Sequence, residues 1–254
     1  MTRAGRLDGG RVLVVGAGTQ SAPADAPVGN GRAIAVLAAR EGAAVVCSDR
    51  DRGAAEATAD LVRAEGADAT VVVSDVATQE GCAATAAAAA DVTGVVLNVG
   101  IGLGRDLGGT SVRDWDTTFA VNLRSHFLIC QALLPSLPEG GAIVFISSAA
   151  GLRSGTRIPA YDASKAGIFG LCRSVALEGG RRGVRANVVA PGLIDTPLGR
   201  WATQGRPSRD RTPVPLGRQG TAWEVAAATV FLLSSEASYI TGHTLTVDGG
   251  LCLY

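Results

Sequence analysis

The stretch R-V-L-V-V-G-A-G-T at residues 11–19, taken up again after nine residues by G-N-G at 29–31, decides how this chain folds. Residues 11–16 form a short apolar, β-branched run, which reads as a buried strand. Residues 31–41 then read as a helix, with Ile34, Leu37 and Ala38 on one face and Gly42 as its stop. A strand, a glycine turn and a helix make the opening of a βαβ unit. Gly16 and Gly18 leave the strand, and Gly29, Asn30 and Gly31 open the helix. Glycines at such a junction let backbone approach a pyrophosphate, and the free N–H groups of the helix start favour its charge. The nine residues from Gln20 to Val28 do not fit a tight turn. They are either a surface extrusion, since added loop residues cost little entropy, or a flap over the cofactor. Asp25 would sit awkwardly beside a pyrophosphate, which favours a loop pointing away.

The alternation continues along the chain. Strands are expected at 43–48, 69–74, 95–98, 142–147, 185–189 and 244–247. Helices are expected at 53–65, 79–90, from a Thr110 or Ser111 cap to about Leu134, and at 161–178 and 222–233. Strands alternating with helices imply an α/β fold, a parallel sheet covered by helices on both faces. Residues 195–220 carry prolines at 197, 207, 213 and 215 without periodicity and read as an irregular lobe or substrate lid. No linker or repeat divides residues 1–254, so a single domain is expected.

Composition narrows the function. The 23 Lys and Arg balance 23 Asp and Glu, which argues against non-specific nucleic-acid binding. No apolar run approaches the ~20 residues that span a bilayer, and the N-terminus runs into the first strand without a signal peptide. The five cysteines are scattered and lack C-x-x-C spacing, which suits reduced thiols in the cytoplasm and no zinc site. His126 and His243 are the only histidines and read as structural, so no metal site is expected.

Open parallel sheets bind ligands outside the carboxyl ends of their strands. Asp49 ends the second strand, eighteen residues past Gly31, where a carboxylate can hold ribose hydroxyls and repel a 2′-phosphate. This favours NAD, although Arg50 and Arg52 could meet a phosphate and leave NADP open. Asp75-Val76 and Asn98-Val99-Gly100-Ile101 end the third and fourth strands and could bracket an adenine. Farther on lie Ser148, Tyr161 and Lys165. Tyr161 and Lys165, at i and i+4, share a helix face, and an ammonium beside a phenol lowers the phenol's pKa. A phenol so tuned is a candidate general acid/base, with Ser148 able to hydrogen-bond the oxygen on which charge develops.

Taken in order, these segments resemble the short-chain dehydrogenase/reductase family, in the subfamily of this chain's length with Tyr-x-x-x-Lys. The carriers are the split glycine turn at 16–31, Asn98-Val99-Gly100, Asn122, Ser148, Tyr161 and Lys165, then N-V-V-A-P-G-L-I-D-T at 187–196, Y-I-T-G at 239–242 and V-D-G-G at 247–250. The resemblance covers nearly the whole chain. It implies a doubly wound, seven-stranded Rossmann sheet of order 3-2-1-4-5-6-7. It implies that Tyr161 exchanges the substrate proton, Lys165 lowers its pKa and holds the nicotinamide ribose, Ser148 holds the carbonyl, and Asn122 anchors a relay water. Gly16, Gly18, Thr19, Gly29, Asn30, Gly31, Asp49, Arg50, Asp75 and Val76 would hold the cofactor's adenosine and pyrophosphate side. Asn98, Val99 and Gly100 would continue that wall, with Pro191, Gly192, Ile194 and Thr196 at the nicotinamide end. Two features depart from the family pattern: the 20–28 insertion, and Leu97-Asn98-Val99 where Asn-Asn-Ala is common.

Substrate contacts are expected from residues 102–105 and 152–158 and from Leu193, Leu198 and Trp201. Arg105, Arg153, Arg157, Arg200, Arg206, Arg209 and Arg211 form either a rim for a carboxylate or acyl phosphopantetheine or a merely solvated surface. The leading reading is an NAD(H)-dependent oxidoreductase of a secondary alcohol or ketone. The alternatives are an NADPH-dependent 3-oxoacyl reductase and a catalytically silent dinucleotide-binding regulator. The resemblance further implies a homotetramer, with the helices bearing Asn122 and Tyr161 packed against their copies.

Overall fold

The computed structural model describes residues 5–19, 27–153, 155–203 and 213–253. Seven parallel strands form one sheet: β1 (Arg11–Val15), β2 (Ala44–Asp49), β3 (Ala69–Val73), β4 (Gly94–Leu97), β5 (Ala142–Ile146), β6 (Arg185–Pro191) and β7 (Thr244–Val247). Their spatial order is β3-β2-β1-β4-β5-β6-β7, as the family resemblance implies. Strand order reverses between β1 and β4, which opens a crevice at their carboxyl ends.

The central strands β1, β4 and β5 are largely apolar because both faces of the sheet are covered there, whereas the edge strands β3 and β7 are only partly buried. Val12 and Val14 of β1, Val96 of β4 and Val144 of β5 enter one core, with Ile34 and Ala38 of α1 (Asn30–Arg40) and Val225 of α8 (Ala222–Leu233). Leu13, Val15, Leu97 and Phe145 point the other way. They meet Cys82 of α3 (Gln79–Ala87), Ile129 and Leu133 of α5 (Ser125–Leu133) and Ile168 of α6 (Pro159–Gly180). Alternating strand residues therefore feed two separate cores. The helix α2 (Arg52–Ala64) packs its buried face, Ala55, Ala59 and Val62, beside β2 and β3.

Helix starts follow side-chain chemistry. Asp51, Thr78 and Ser111 cap α2, α3 and α4 (Val112–Phe119), and Thr221 with Glu224 closes a capping box on α8. The far end of α8 is held by Arg185. Its buried guanidinium donates to the carbonyls of Leu232, Leu233 and Ser234 at 2.7, 3.2 and 3.0 Å, where the helix leaves acceptors free.

Two details differ from the sequence expectation. The long helix expected up to Leu134 is interrupted: a π turn, Ala120–Arg124, separates α4 from α5, and Ser125 Oγ back-bonds to the Val121 carbonyl at 2.6 Å. The 195–220 lobe is bounded by a two-residue strand pair, Ile194–Asp195 with Gly220–Thr221, and carries a short helix α7 (Pro197–Thr203). Residues 204–212, and with them Arg206, Arg209 and Arg211, lie outside the described residues, as do residues 20–26 of the insertion and the side chain of Trp201.

Candidate active site

The carboxyl ends of β1, β2, β4 and β5 open into one cleft. Its floor is the glycine turn. Gly16 has φ +78°, and a Cβ there would lie 2.9 Å from the Val99 Cα. A Cβ on Gly31 would come within 1.9 Å of the Gly16 carbonyl oxygen. Asn98 Nδ2 donates to that same oxygen at 2.8 Å, so the end of β4 is fastened to the turn. Across the insertion, Gly29 N donates to Thr19 Oγ1 at 3.1 Å. The two residues that flank the insertion, Thr19 and Gly29, are therefore held together.

Gly18, Thr19, Asn30, Asp49 and Arg50 line the cleft on the β2 side. Asp49 accepts from Gly18 N at 2.9 Å and from Asp51 N at 3.1 Å, which fixes its carboxylate at the strand end. Asp75 and Val76 reach the same cleft after β3, and Val99 and Gly100 after β4.

The other end of the cleft holds Tyr161, Lys165 and Thr196. Lys165 is 3% exposed, and its Nζ donates to the Ile146 carbonyl at 2.9 Å. Ser147 Oγ donates to the Lys165 carbonyl at 2.8 Å, so β5 and α6 are joined twice at this residue. Burial pushes the Lys165 ammonium down to about 8, since an apolar interior disfavours the charged form. Lys165 Nζ lies 5.7 Å from the centre of the Tyr161 ring. Gly100 is what leaves room for it: a Cβ there would sit 3.0 Å from Nζ.

Asn122 stands in the π turn, fully buried. It accepts from Ile101 N and donates to the Ile101 carbonyl, both at 2.8 Å, and donates to Ser164 Oγ at 3.0 Å. Ser148 begins the turn after β5, with Oγ accepting from Ala150 N at 3.1 Å. That turn lies flat on α6, since a Cβ on Gly151 would be 2.8 Å from the Ala166 nitrogen. Asn122 and Ser148 are thus attached to the two elements that flank the Tyr161 helix, although neither lines the cleft itself.

Pro191, Gly192 and Ile194 lie behind the cleft wall. Gly192 N donates to the Val247 carbonyl at 3.0 Å, and Ile194 is buried against α8. They shape the loop that delivers Thr196. Sequence reasoning missed Ser147, whose signal was only its place beside Ser148; Ile101 was expected at the exit of the fourth strand, but not its pairing with Asn122. Pro197 and Leu198 also enter the wall; of these only Leu198 was expected, as a substrate contact. Among the expected rim arginines, Arg157 pairs with Asp106, Arg200 with Asp195 at 2.8 Å, and Arg153 with the Leu251 carbonyl. These three are engaged within the protein. Among the described residues, no group of three His, Cys, Asp or Glu could hold a metal, and no helix is long and apolar enough to cross a membrane.

The geometry has close counterparts. The profile of the enoyl-(acyl carrier protein) reductase family matches residues 26–252. The (3R)-3-hydroxyacyl-CoA dehydrogenase of Canis lupus familiaris is 36% identical, over 97% of this chain and 97% of its own. The solved structure of a 7α-hydroxysteroid dehydrogenase complexed with NADH and 7-oxo glycochenodeoxycholic acid superposes with a TM-score of 0.86 at 30% identity, covering 96% of this chain and 95% of that one. A blue fluorescent protein from a metagenomic library, in complex with NADPH, gives 0.87 at 30% identity, covering 97% and 99%. The chain belongs to the short-chain dehydrogenase/reductase family of oxidoreductases.

Proposed function

We propose that the protein interconverts a secondary alcohol and a ketone with NAD(H), Tyr161 serving as general acid/base. One observation carries this: a buried Lys165 ammonium, fixed to the end of β5, beside the Tyr161 ring in a glycine-floored cleft.

The cleft suits a dinucleotide. The turn at Gly16 and Gly31 leaves no room for a side chain, as a close backbone contact with pyrophosphate requires. Asn30 Oδ1 is buried in it without a hydrogen-bond partner among the described residues. Asp49 offers a carboxylate where an adenosine ribose would end, and this supports NAD over NADP. Solved neighbours hold NADH in one case and NADP or NADPH in two, so the preference rests on Asp49.

The bound nicotinamide would supply or accept the hydride. This chain's residues do the rest. Tyr161 gives its phenolic proton to the carbonyl oxygen in reduction and withdraws it in oxidation. Lys165, when charged, stabilises the phenolate. Ser148 hydrogen-bonds the same substrate oxygen, and Asn122 anchors a water that relays protons between Lys165 and solvent.

The groove lined by Phe119, Leu123, Phe127 and Leu171 along α4, α5 and α6 supports assembly as a homotetramer, measurable by light scattering. Five unpaired cysteines support a cytoplasmic location. The decisive experiment is a panel of alcohols and ketones assayed with both cofactors, with Tyr161→Phe as control. The variant should bind NADH and turn nothing over. Normal turnover by it would remove the assigned chemistry.

A further inference from the structure

Among the described residues, only two non-glycine residues have positive φ: Asp106 at 52° and Arg157 at 62°. Side chains with a Cβ rarely adopt that conformation, and they keep it only where surrounding contacts over-determine it. These two residues, fifty-one apart in sequence, hold each other. Arg157 Nε donates to Asp106 Oδ1 at 2.8 Å, Nη2 to Oδ2, and Asp106 N donates to the Arg157 carbonyl at 2.8 Å. An exposed ion pair alone is weak. Here a two-pronged pair and a backbone bond act together across two loops.

Both loops lead to the reacting side chain. On one side, Asp106 sits in a small closed loop: Arg105 N donates to the Gly109 carbonyl at 3.3 Å, and Thr110 Oγ1 to the Asp106 carbonyl at 2.7 Å. The strand exit before it passes Gly102, where a Cβ would lie 3.3 Å from Ile158 Cδ1 and 3.6 Å from Tyr161 Cδ2. On the other side, Arg157 precedes the α6 start by two residues, and Thr156 Oγ1 hydrogen-bonds Asp162 and receives Ile158 N at 3.0 Å. Two conformations that are unfavourable alone meet where they can hold the Gly102 backbone against the Tyr161 ring.

We propose that Asp106 and Arg157 form a latch that sets the opening over Tyr161, making them positioning residues for the substrate. The inference rests on Tyr161 being the reacting side chain. A glycine at 157 adopts the same φ freely, so Arg157→Gly removes the ion pair without adding strain, and the charge swap, which keeps a pair, isolates the pairing. The test compares the full-length wild type, Arg157→Gly, and the charge swap Asp106→Arg with Arg157→Asp. Hydrogen exchange at residues 102–110 and at Ile158 is read first, without substrate. Exchange in Arg157→Gly should rise about tenfold there and stay unchanged in the interior of α6, and the swap should restore most of the protection. KM for 1-phenylethanol should rise roughly three- to fivefold in the glycine variant, with the NADH Kd unchanged. Unchanged exchange in Arg157→Gly, or a swap that exchanges as fast as the glycine variant, overturns the latch. Faster exchange with an unchanged KM overturns its role toward substrate. If the wild type oxidises neither 1-phenylethanol nor cyclohexanol, the proposed activity fails, while the exchange result still decides the latch.

Discussion

Asn122 and Ile101 exchange two hydrogen bonds, N–H to Oδ1 and Nδ2–H to carbonyl, each 2.8 Å long. The side chain thereby pairs with the backbone of the loop after β4 as a strand residue would. Only the π turn aims it there, since five residues of wider helix re-point Asn122. Asn122→Ala would leave the Ile101 amide and carbonyl unpaired in a partly buried place at the cleft wall. The expected loss is about 1–3 kcal/mol in urea unfolding, with turnover reduced at least tenfold. Wild-type stability in that variant would show that the pairing is incidental.

Lys165 gives a pH-dependent prediction. In the folded protein burial lowers its pKa to about 8, against 10.5 ordinarily. Below pH 8 both folded and unfolded chains carry the proton, and the folded one carries a disfavoured charge. Between about 8 and 10.5 the unfolded chain holds a proton that the folded chain has lost, so stability rises with pH. Relative to Lys165→Met, cofactor-free wild type should therefore gain about 3 kcal/mol across that window. At pH 7 the methionine variant should be at least as stable, with the unpaired Ile146 carbonyl offsetting about 1 kcal/mol of the gain, yet inactive. Parallel stability curves for the two proteins would show that the ammonium is not held in a poor environment.

Much of this was legible in the chain. Period-free apolar runs mark strands buried on both faces, and the glycines at 16 and 31 mark a turn that the structure shows has no space for a Cβ. The Tyr161–Lys165 spacing could be read as a shared helix face because both residues lie within α6. What stayed hidden depends on long-range contacts without a local signature. Nothing around Ile101 announces that Asn122 will find it, and nothing in Asp106 or Arg157 announces a positive φ. The π turn was hidden as well, because Ala120–Arg124 carries ordinary helix-forming residues. The arginine rim looked like one feature in the sequence, but Arg153, Arg157 and Arg200 are each drawn to different internal acceptors.

Cofactor choice should follow Asp49. Its carboxylate is fixed by Gly18 N and Asp51 N, so it cannot easily swing away from an incoming 2′-phosphate. Two like charges a few ångströms apart at the protein surface repel by roughly 1–4 kcal/mol. NADH should bind at least tenfold more tightly than NADPH in a fluorescence titration. Asp49→Ser should bring the two affinities within about threefold, since Arg50 then faces the phosphate without opposition. Equal affinities in the wild type would remove Asp49 from the selection of cofactor.

His126 was expected to be structural, and its surroundings say what kind of structural residue it is. It is fully buried, 6.0 Å from the Phe145 ring, and its ring nitrogens make no well-formed hydrogen bond among the described residues, the Val99 backbone being the one polar group that favours its charge. Burial, and then the Lys165 charge, push its pKa down to about 3, only partly countered by the Val99 backbone. The imidazole is therefore neutral wherever the enzyme works. On acidification the unfolded chain binds a proton near pH 6.5 that the folded chain refuses until about 3. Folding stability should fall through that window by about 1.4 kcal/mol per pH unit from this residue alone. His126→Leu removes both the unsatisfied nitrogens and the titration. It should unfold in urea no more easily than wild type at pH 7, and at pH 4.5 it should be more stable by about 2–3 kcal/mol. An acid-unfolding curve for His126→Leu that tracks wild type would mean the ring finds a proton partner that the static contacts do not show.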